Sequence, residues 1–483
     1  MSQIIRYFQL IILSFLGLFL IYEYYSLPVQ SQISSNILLI NTIILVIALI
    51  VFSVYQNNPK YLKGQIITIS FIFLLSFFIV HFFNYIGWLI LPEDYEFLSQ
   101  NYINRASILS STSFIGCLIG MVLCKKPFKN GKNNNLDKIG DVPPLIMVLF
   151  MLLFILFTDK RYFAAGGNSA VLNEVGWNPV GAASYNICVA YVIANVIAVV
   201  INNRGTKVNI KQYFKKFPQL FYLLTIIFLI IVLISGDRGP MMDIVLSYVL
   251  GYIIINHKRP NILLLCLIGV LGIFILKYLS FLRGNSDTLS IEKLEAINER
   301  MSTFHEDNIP ILGDMRELSD VVNAYHLVYE FGENNFIIYG FGVLTQILAI
   351  FPGIRFIIMS LTGIPPALYS TDQLATVLLG EDYGAGTTCV ADAYYNFGFV
   401  GTVVFFILIG YFLRKLDLSI YQRGVKLFIF TIAICFFVKA IYLGRSYFFQ
   451  PVTLTIYTYL IVWVSKYLNK RKLKYEKKNI IIN

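Results

Sequence analysis

Charge is scarce in this chain. Asp, Glu, Lys and Arg make up 13% of its 483 residues and hydrophobic residues 57%, where a soluble domain carries about 25% charged and about 45–50% apolar. That balance excludes a water-soluble globular fold and points to an integral membrane protein. Cysteine is also sparse, with six residues. Cys117, Cys124, Cys188, Cys266 and Cys435 fall in apolar runs, where cysteine acts as a small hydrophobe, and Cys389 has no partner in its own connection. A disulfide framework and a cysteine metal site are excluded by those positions. G-x-x-x-x-G-K-[ST], H-E-x-x-H, G-x-S-x-G and Asp-x-Asp are all missing. Their absence argues against an ATP-driven pump and a metal-dependent sugar-nucleotide transferase, and no metal or other cofactor is expected. The first apolar run has no small-residue cleavage site after it, so it reads as a membrane helix and not as a removable signal.

Apolar runs supply what the charged residues do not. They divide into about twelve membrane-length segments, near 6–22, 34–54, 65–90, 106–124, 143–158, 179–201, 218–235, 241–256, 261–281, 395–413, 425–443 and 447–465. The expected fold is all-α and polytopic. The net charge of +11 does not indicate nucleic acid, because the basic residues sit in short connections beside the apolar runs. Lys60 and Lys63 follow the second span, and Lys125, Lys126, Lys129, Lys132 and Lys138 the fourth. Arg204 to Lys216 follow the sixth, Lys258 and Arg259 the eighth, and Arg414, Lys415 and Arg423 the tenth. The alternate connections are acidic, with Glu93, Asp94 and Glu96, then Asp159 and Glu174, then the carboxylates between Asp287 and Asp392. By the positive-inside rule both termini are cytoplasmic, and the basic run from Lys466 to Lys478 would lie against anionic headgroups. The expected organisation is membrane helices over 1–281, a long extracytoplasmic segment over 282–393, further membrane helices over 394–465 and a basic tail over 466–483.

The long segment has structure of its own. Ile291, Leu294, Ile297, Met301 and Phe304 recur at helical spacing, and so do Leu318, Val321, Tyr325, Val328 and Phe331, with Gly332 as a C-cap. These amphipathic helices either lie on the membrane surface or roof a cavity. Gln346 to Leu361 is apolar but broken by Pro352-Gly353 and carries Arg355, which suits a re-entrant or interfacial helix.

Charged groups at the outer ends of spans are the candidates for chemistry, because charge is costly near the hydrocarbon core. Arg238 stands in the short connection Ser235-Gly236-Asp237-Arg238-Gly239-Pro240. Either it binds a ligand, or it snorkels from a tight turn whose geometry Asp237 and Gly239 supply. Arg283, Arg445 and Arg161 stand at other outer ends, where each is either a ligand group or a helix end-cap. Several guanidinium groups on one face would suit a diphosphate, which they bind with fixed charge and two hydrogen bonds.

Gly384-Ala385-Gly386 leads to Asp392 at the entrance of a span. Asp392 is a general base if buried and a helix N-cap otherwise. Glu381 is a second choice for base, and His326 is a third that more often would be a surface residue. His81 reads as a helix-packing group. Asp243 and Lys439 lie inside spans and either pair or mark an ion path. Among the 32 Tyr and 40 Phe, some are available to stack on sugars, and most face lipid or the protein core.

The turn Gly-Asp-Arg-Gly-Pro at 236–240, the long penultimate connection, and Gly-x-Gly followed by Asp-Ala-Tyr-Tyr-Asn-Phe-Gly-Phe-Val-Gly at 392–401 resemble the Wzy-type polymerases of O-antigen and capsule repeat units. The resemblance implies an enzyme of the bacterial plasma membrane. On the outer face it would transfer a growing glycan from undecaprenyl pyrophosphate to a new lipid-linked unit, without metal or nucleotide. It implies that Arg238 acts on the substrate with Arg283 as a second arginine, and it makes a flippase and a chain-length regulator candidate partners. The rival readings are an O-antigen ligase and a lipid-linked oligosaccharide flippase.

Overall fold

A computed structural model describes residues 2–53, 67–95, 97–129, 138–163, 178–237, 239–256, 321–380, 386–422 and 424–482. The expected ninth span near 261–281 and the amphipathic pattern at 290–304 lie outside the described residues. Among these residues the protein is all-α, with no strand. We number the principal helices α1 (Ser2–Ser26), α2 (Ser35–Ser53), α3 (Ile69–Ile90), α4 (Ile103–Leu123) and α5 (Pro144–Phe157). They continue as α6 (Pro179–Asn202), α7 (Gln219–Ile234), α8 (Gly239–Asn256), α9 (Val321–Asn334) and α10 (Phe341–Leu348). The remainder are α11 (Ile354–Thr362), α12 (Thr371–Leu379), α13 (Cys389–Ile420), α14 (Leu427–Lys439) and α15 (Gln450–Ile482). Seven described segments, the helices α1, α2, α3, α4, α6, α8 and α13, are long and apolar enough to cross a membrane. Three shorter apolar helices, α5, α7 and α14, accompany them. The protein is therefore a polytopic membrane protein.

Helix starts follow local chemistry. Thr68 accepts a hydrogen bond from Phe71 N at the start of α3, and the Asp417 carboxylate accepts from Ile69 N and Ser70 N at 2.7 and 3.2 Å. Asp417 thus satisfies backbone donors that a helix N-terminus leaves open. Pro144 and Pro179 open α5 and α6, where a missing N–H costs nothing.

Two buried helices organise the bundle. α4 is surrounded by α1, α2 and α13, and α6 by α5, α8 and α15, while α14 touches α8, α13 and α15. α4 and α13 approach so closely that a Cβ on Gly410 would lie 1.9 Å from the Cys117 carbonyl oxygen, and one on Gly120 2.0 Å from that of Ile407. Small residues at such a crossing let backbones touch where the hydrophobic effect gives no preference between lipid and protein.

The segment 321–380 covers one end of the bundle. α9 does not lie on a surface: Val322, Tyr325, His326, Val328 and Tyr329 are all buried. Tyr325 donates to Ala106 O of α4 at 2.6 Å, and Tyr24 of α1 meets Tyr329 at 2.7 Å between hydroxyls. Gly332 is no C-cap. The helix runs on to Asn334, and the Tyr394 ring lies 2.9 Å from where a Gly332 Cβ would be, so the glycine makes room for that ring. The expected break at Pro352-Gly353 is present, as the connection between α10 and α11. On α11, Phe356 and Leu361 are exposed. Span limits also shift. α13 extends over Cys389–Ile420, and α15 continues helically through the basic run to Ile482.

Candidate active site

α13 positions Asp392. Thr388 caps the helix by accepting from Ala391 N at 3.1 Å, so capping does not fall to Asp392. The Asp392 carboxylate is 2% exposed and is held from other elements. Its Oδ1 accepts from Gln346 Nε2 of α10 at 2.8 Å and from Thr371 Oγ1 of α12 at 3.0 Å. Asn396 Nδ2, one turn on, donates to the Asp392 carbonyl at 2.8 Å and stands 3.4 Å from Oδ1. Among the described residues the hydrogen bonds to the carboxylate thus converge on Oδ1, leaving Oδ2 for another partner. Gln346 Oε1 and Thr387 Oγ1 are buried with no hydrogen-bond partner among the described residues.

Immediately after this site α13 opens. Gly398 has φ +66° and ψ −172° inside the helix, a conformation open to glycine and costly for other residues. The Tyr395 and Asn396 carbonyls accept instead from Ile338 N and Gly340 N, at 3.0 and 2.9 Å. Asn396 Oδ1 accepts from Val343 N at 3.1 Å. The residues leading into α10 are thereby bound to an opened turn of a membrane helix, which is allowed where protein satisfies the freed backbone groups.

Two other turns are set back within the bundle. The α7–α8 turn closes with Gly236 N on Leu233 O and Asp237 N on Val232 O, a Schellman pattern. Asp237 Oδ1 then accepts from Gly239 N at 3.0 Å, and its Oδ2 accepts from the Tyr185 hydroxyl. Tyr185 lies about 9 Å along α6 from Pro179, so the turn sits below the end of α6. The second turn, Leu443–Arg445, follows α14. A Cβ on Gly444 would be 2.8 Å from Ser76 Oγ of α3, and Ser76 donates to Ile441 O at 2.5 Å. Ser76 is about 20 Å along α3 from Ile90, so Arg445 is deeper still. The two turns are linked by an ion pair between Lys439 Nζ and Asp243 Oδ2 at 2.6 Å. A Cβ on Gly386 would lie 4.0 Å from the Arg445 carbonyl oxygen, which brings the approach to Asp392 next to the second turn.

Of the sequence candidates, Asp392 and Arg445 thus belong to one connected region, and Asp237 and Gly239, which flank Arg238 in sequence, border it. Arg238, Arg283 and Glu381 lie outside the described residues, and only the backbone of Arg355 is described, in α11. Arg161 is exposed and forks onto Asp159, Nε and Nη2 each 3.2 Å from a carboxylate oxygen. These hydrogen bonds hold the Asp159 carboxyl below its ordinary pKa. His326 is no surface residue. It is fully buried with Nε2 2.7 Å from the Tyr85 hydroxyl, and burial pushes its pKa down to about 3. His81 is buried between Phe77 and Tyr325, a packing position as expected. Among the described residues no group of three or more His, Cys, Asp and Glu could hold a metal ion.

Sequence reasoning missed Gln346, Thr371 and Asn396 as the groups that fix Asp392. The usable signal for Gln346 was an amide in an otherwise apolar stretch. It also missed Glu333, whose Oε1 accepts from the Tyr394 hydroxyl and, at 3.2 Å, from that of Tyr24.

Membrane-length helices, a covered end and polar turns set back beneath it define a multi-pass membrane protein with an internal polar site at one end of its bundle. The sequence matches the family of the O-antigen polysaccharide polymerase Wzy over residues 5–472. With nearly its whole length matched, the chain belongs to that family of membrane enzymes. No curated protein and no solved structure matches it.

Proposed function

We propose that the protein joins undecaprenyl-pyrophosphate-linked oligosaccharide units into a surface polysaccharide, O-antigen or capsule, on the outer face of the bacterial plasma membrane. Membership of the polymerase family supports the class of reaction. The alternation of basic and acidic connections supports about twelve spans, cytoplasmic termini and an outward-facing site. The single observation that carries the mechanism is the fixing of Asp392 through one oxygen, at the junction of α10, α12 and the first turn of α13.

In this reading an acceptor hydroxyl of the new lipid-linked unit attacks the anomeric carbon of the growing chain. The acceptor oxygen forms the new glycosidic bond, and its proton passes to Asp392 Oδ2. The bond from the anomeric carbon to the pyrophosphate oxygen breaks, and its electron pair leaves with the lipid pyrophosphate. Arg238, Arg283 and Arg445 hold that charge, since fixed cations in a water-poor site stabilise a developing anion without reorganising. Arg355 and Arg161 serve the approach of the substrate and not the reacting atoms. The step needs no metal and no nucleotide. Asp243 and Lys439, the charges inside spans that could mark an ion path, pair with one another, which favours a polymerase over a flippase.

The test is a gel of surface and lipid-linked glycan from a strain lacking the gene. Single repeat units on the final acceptor, with no ladder, support the proposal. Full-length polymer stranded on the lipid carrier would make the protein a ligase, units trapped on the cytoplasmic face would make it a flippase, and an unchanged profile would overturn all of these readings.

A further inference from the structure

The Asp243–Lys439 pair has a feature that helix tethering does not explain. Asp243 is 2% exposed, and Lys439 takes its Oδ2. Its other oxygen, Oδ1, is buried and has no hydrogen-bond partner among the described residues. Leaving a buried carboxylate oxygen without a donor is costly, and a buried ion pair is often no more stabilising than a well-packed apolar pair. Both oxygens of the buried Asp417, by contrast, accept hydrogen bonds, from Ile69 N and Ser70 N. The carboxylate is also held in place. Lys439 is fixed against Oδ2, with its ammonium 5.5 Å from the centre of the Tyr442 ring, and Asp243 lies one turn into α8 beyond the Asp237 turn. Lys439 keeps 16% of its side chain exposed, so the pair reaches the protein surface at the lysine.

We infer that Asp243 is a substrate-binding residue: with Lys439 holding Oδ2, its Oδ1 accepts a hydrogen bond from a sugar hydroxyl of the lipid-linked oligosaccharide. A hydroxyl is the complementary chemistry, because it brings a donor without bringing a charge into a site already neutralised. No bond is made or broken at Asp243, which orients the saccharide in the region bordered by the turns carrying Arg238 and Arg445. This inference rests on the reading of the protein as a polymerase of lipid-linked units.

The experiment uses the full-length protein in nanodiscs, with the lipid-linked repeat unit extracted from the deletion strain as probe. Wild-type protein must first polymerise that unit, and failure there would count against the polymerase reading and not against Asp243. Asp243→Asn keeps the volume and one oxygen for Lys439. The expected result is a KM raised about tenfold or more, as for a lost hydrogen bond to a charged group, read below an unfolding temperature that falls because Lys439 loses its counter-charge. An unchanged KM in folded protein would overturn the inference. The exchange Asp243→Lys with Lys439→Asp separates binding from tethering: it should recover folding but not the KM. Recovery of both would show that the pair only ties α8 to α14.

Discussion

Asp392 gives the sharpest separation of structure from chemistry, because two substitutions at one position are expected to fail in different ways. Asp392→Ala removes the acceptor of Gln346 Nε2 and Thr371 Oγ1, both buried. Each donor left without a partner costs about 1–3 kcal/mol, so the Ala variant should lose about 2–6 kcal/mol. That loss falls where α10 and α12 meet α13, so the segment 321–380 should loosen before the rest of the bundle. Asp392→Asn keeps an oxygen for the same two donors and should unfold close to wild type. It has no carboxylate to take a proton, however, and removing a general base typically costs about 10²–10⁴-fold in rate. The assay is repeat units added per minute by equal amounts of membrane-inserted protein, read on a glycan gel beside a thermal unfolding curve. An Asn variant that elongates at the wild-type rate would refute the base assignment outright. If Asn loses activity only in proportion to a lowered unfolding temperature, Asp392 is an anchor of the segment 321–380 and not a base.

Arg238→Ala should leave the protein inserted and folded but unable to elongate glycan, and normal polymer length at normal abundance would remove Arg238 from the site. Gly410→Ala puts a methyl group 1.9 Å from the Cys117 carbonyl oxygen. Overpacking of this kind costs about 1–3 kcal/mol, occasionally more, so membrane abundance and unfolding temperature should both fall, and an unchanged unfolding temperature would contradict the close crossing. Burial holds His326 near pKa 3 in the folded protein against 6.5 for the free group, so the unfolded chain binds the extra proton between those values. The contribution of His326 to stability is therefore complete above about pH 6.5 and falls as the pH is lowered towards 3. In His326→Gln that dependence should flatten, which thermal unfolding at a series of pH values would measure.

Much of this fold was legible because hydrocarbon thickness sets span length. Apolar runs expected at 143–158, 179–201 and 218–235 coincide with the helices Pro144–Phe157, Pro179–Asn202 and Gln219–Ile234 within a residue or two, and of these Pro179–Asn202 is of membrane length. Burial inside the segment 321–380 was not legible. The apolar periodicity around Val321 to Phe331 is the same whether a helix lies on a membrane or packs against other helices, and only partners such as Tyr24, Ala106 and Tyr394 decide it. For the same reason His326 was read as exposed. In the candidate site, Asp392 stands out in the sequence as a charge at a span end, whereas Gln346 and Thr371 reach it across 46 and 21 residues of sequence. No local pattern marks such pairs. Asp243 and Lys439 were recognisable as charges inside spans, but their pairing depends on how α8 and α14 pack.

The most direct test of the central claim is reconstitution. Purified protein in liposomes, given only undecaprenyl-pyrophosphate-linked repeat units, should produce a ladder of longer glycans and release one undecaprenyl pyrophosphate for each unit joined. Repeat units that stay single, in liposomes where the protein is folded and the substrate can reach the exposed face, would contradict the account.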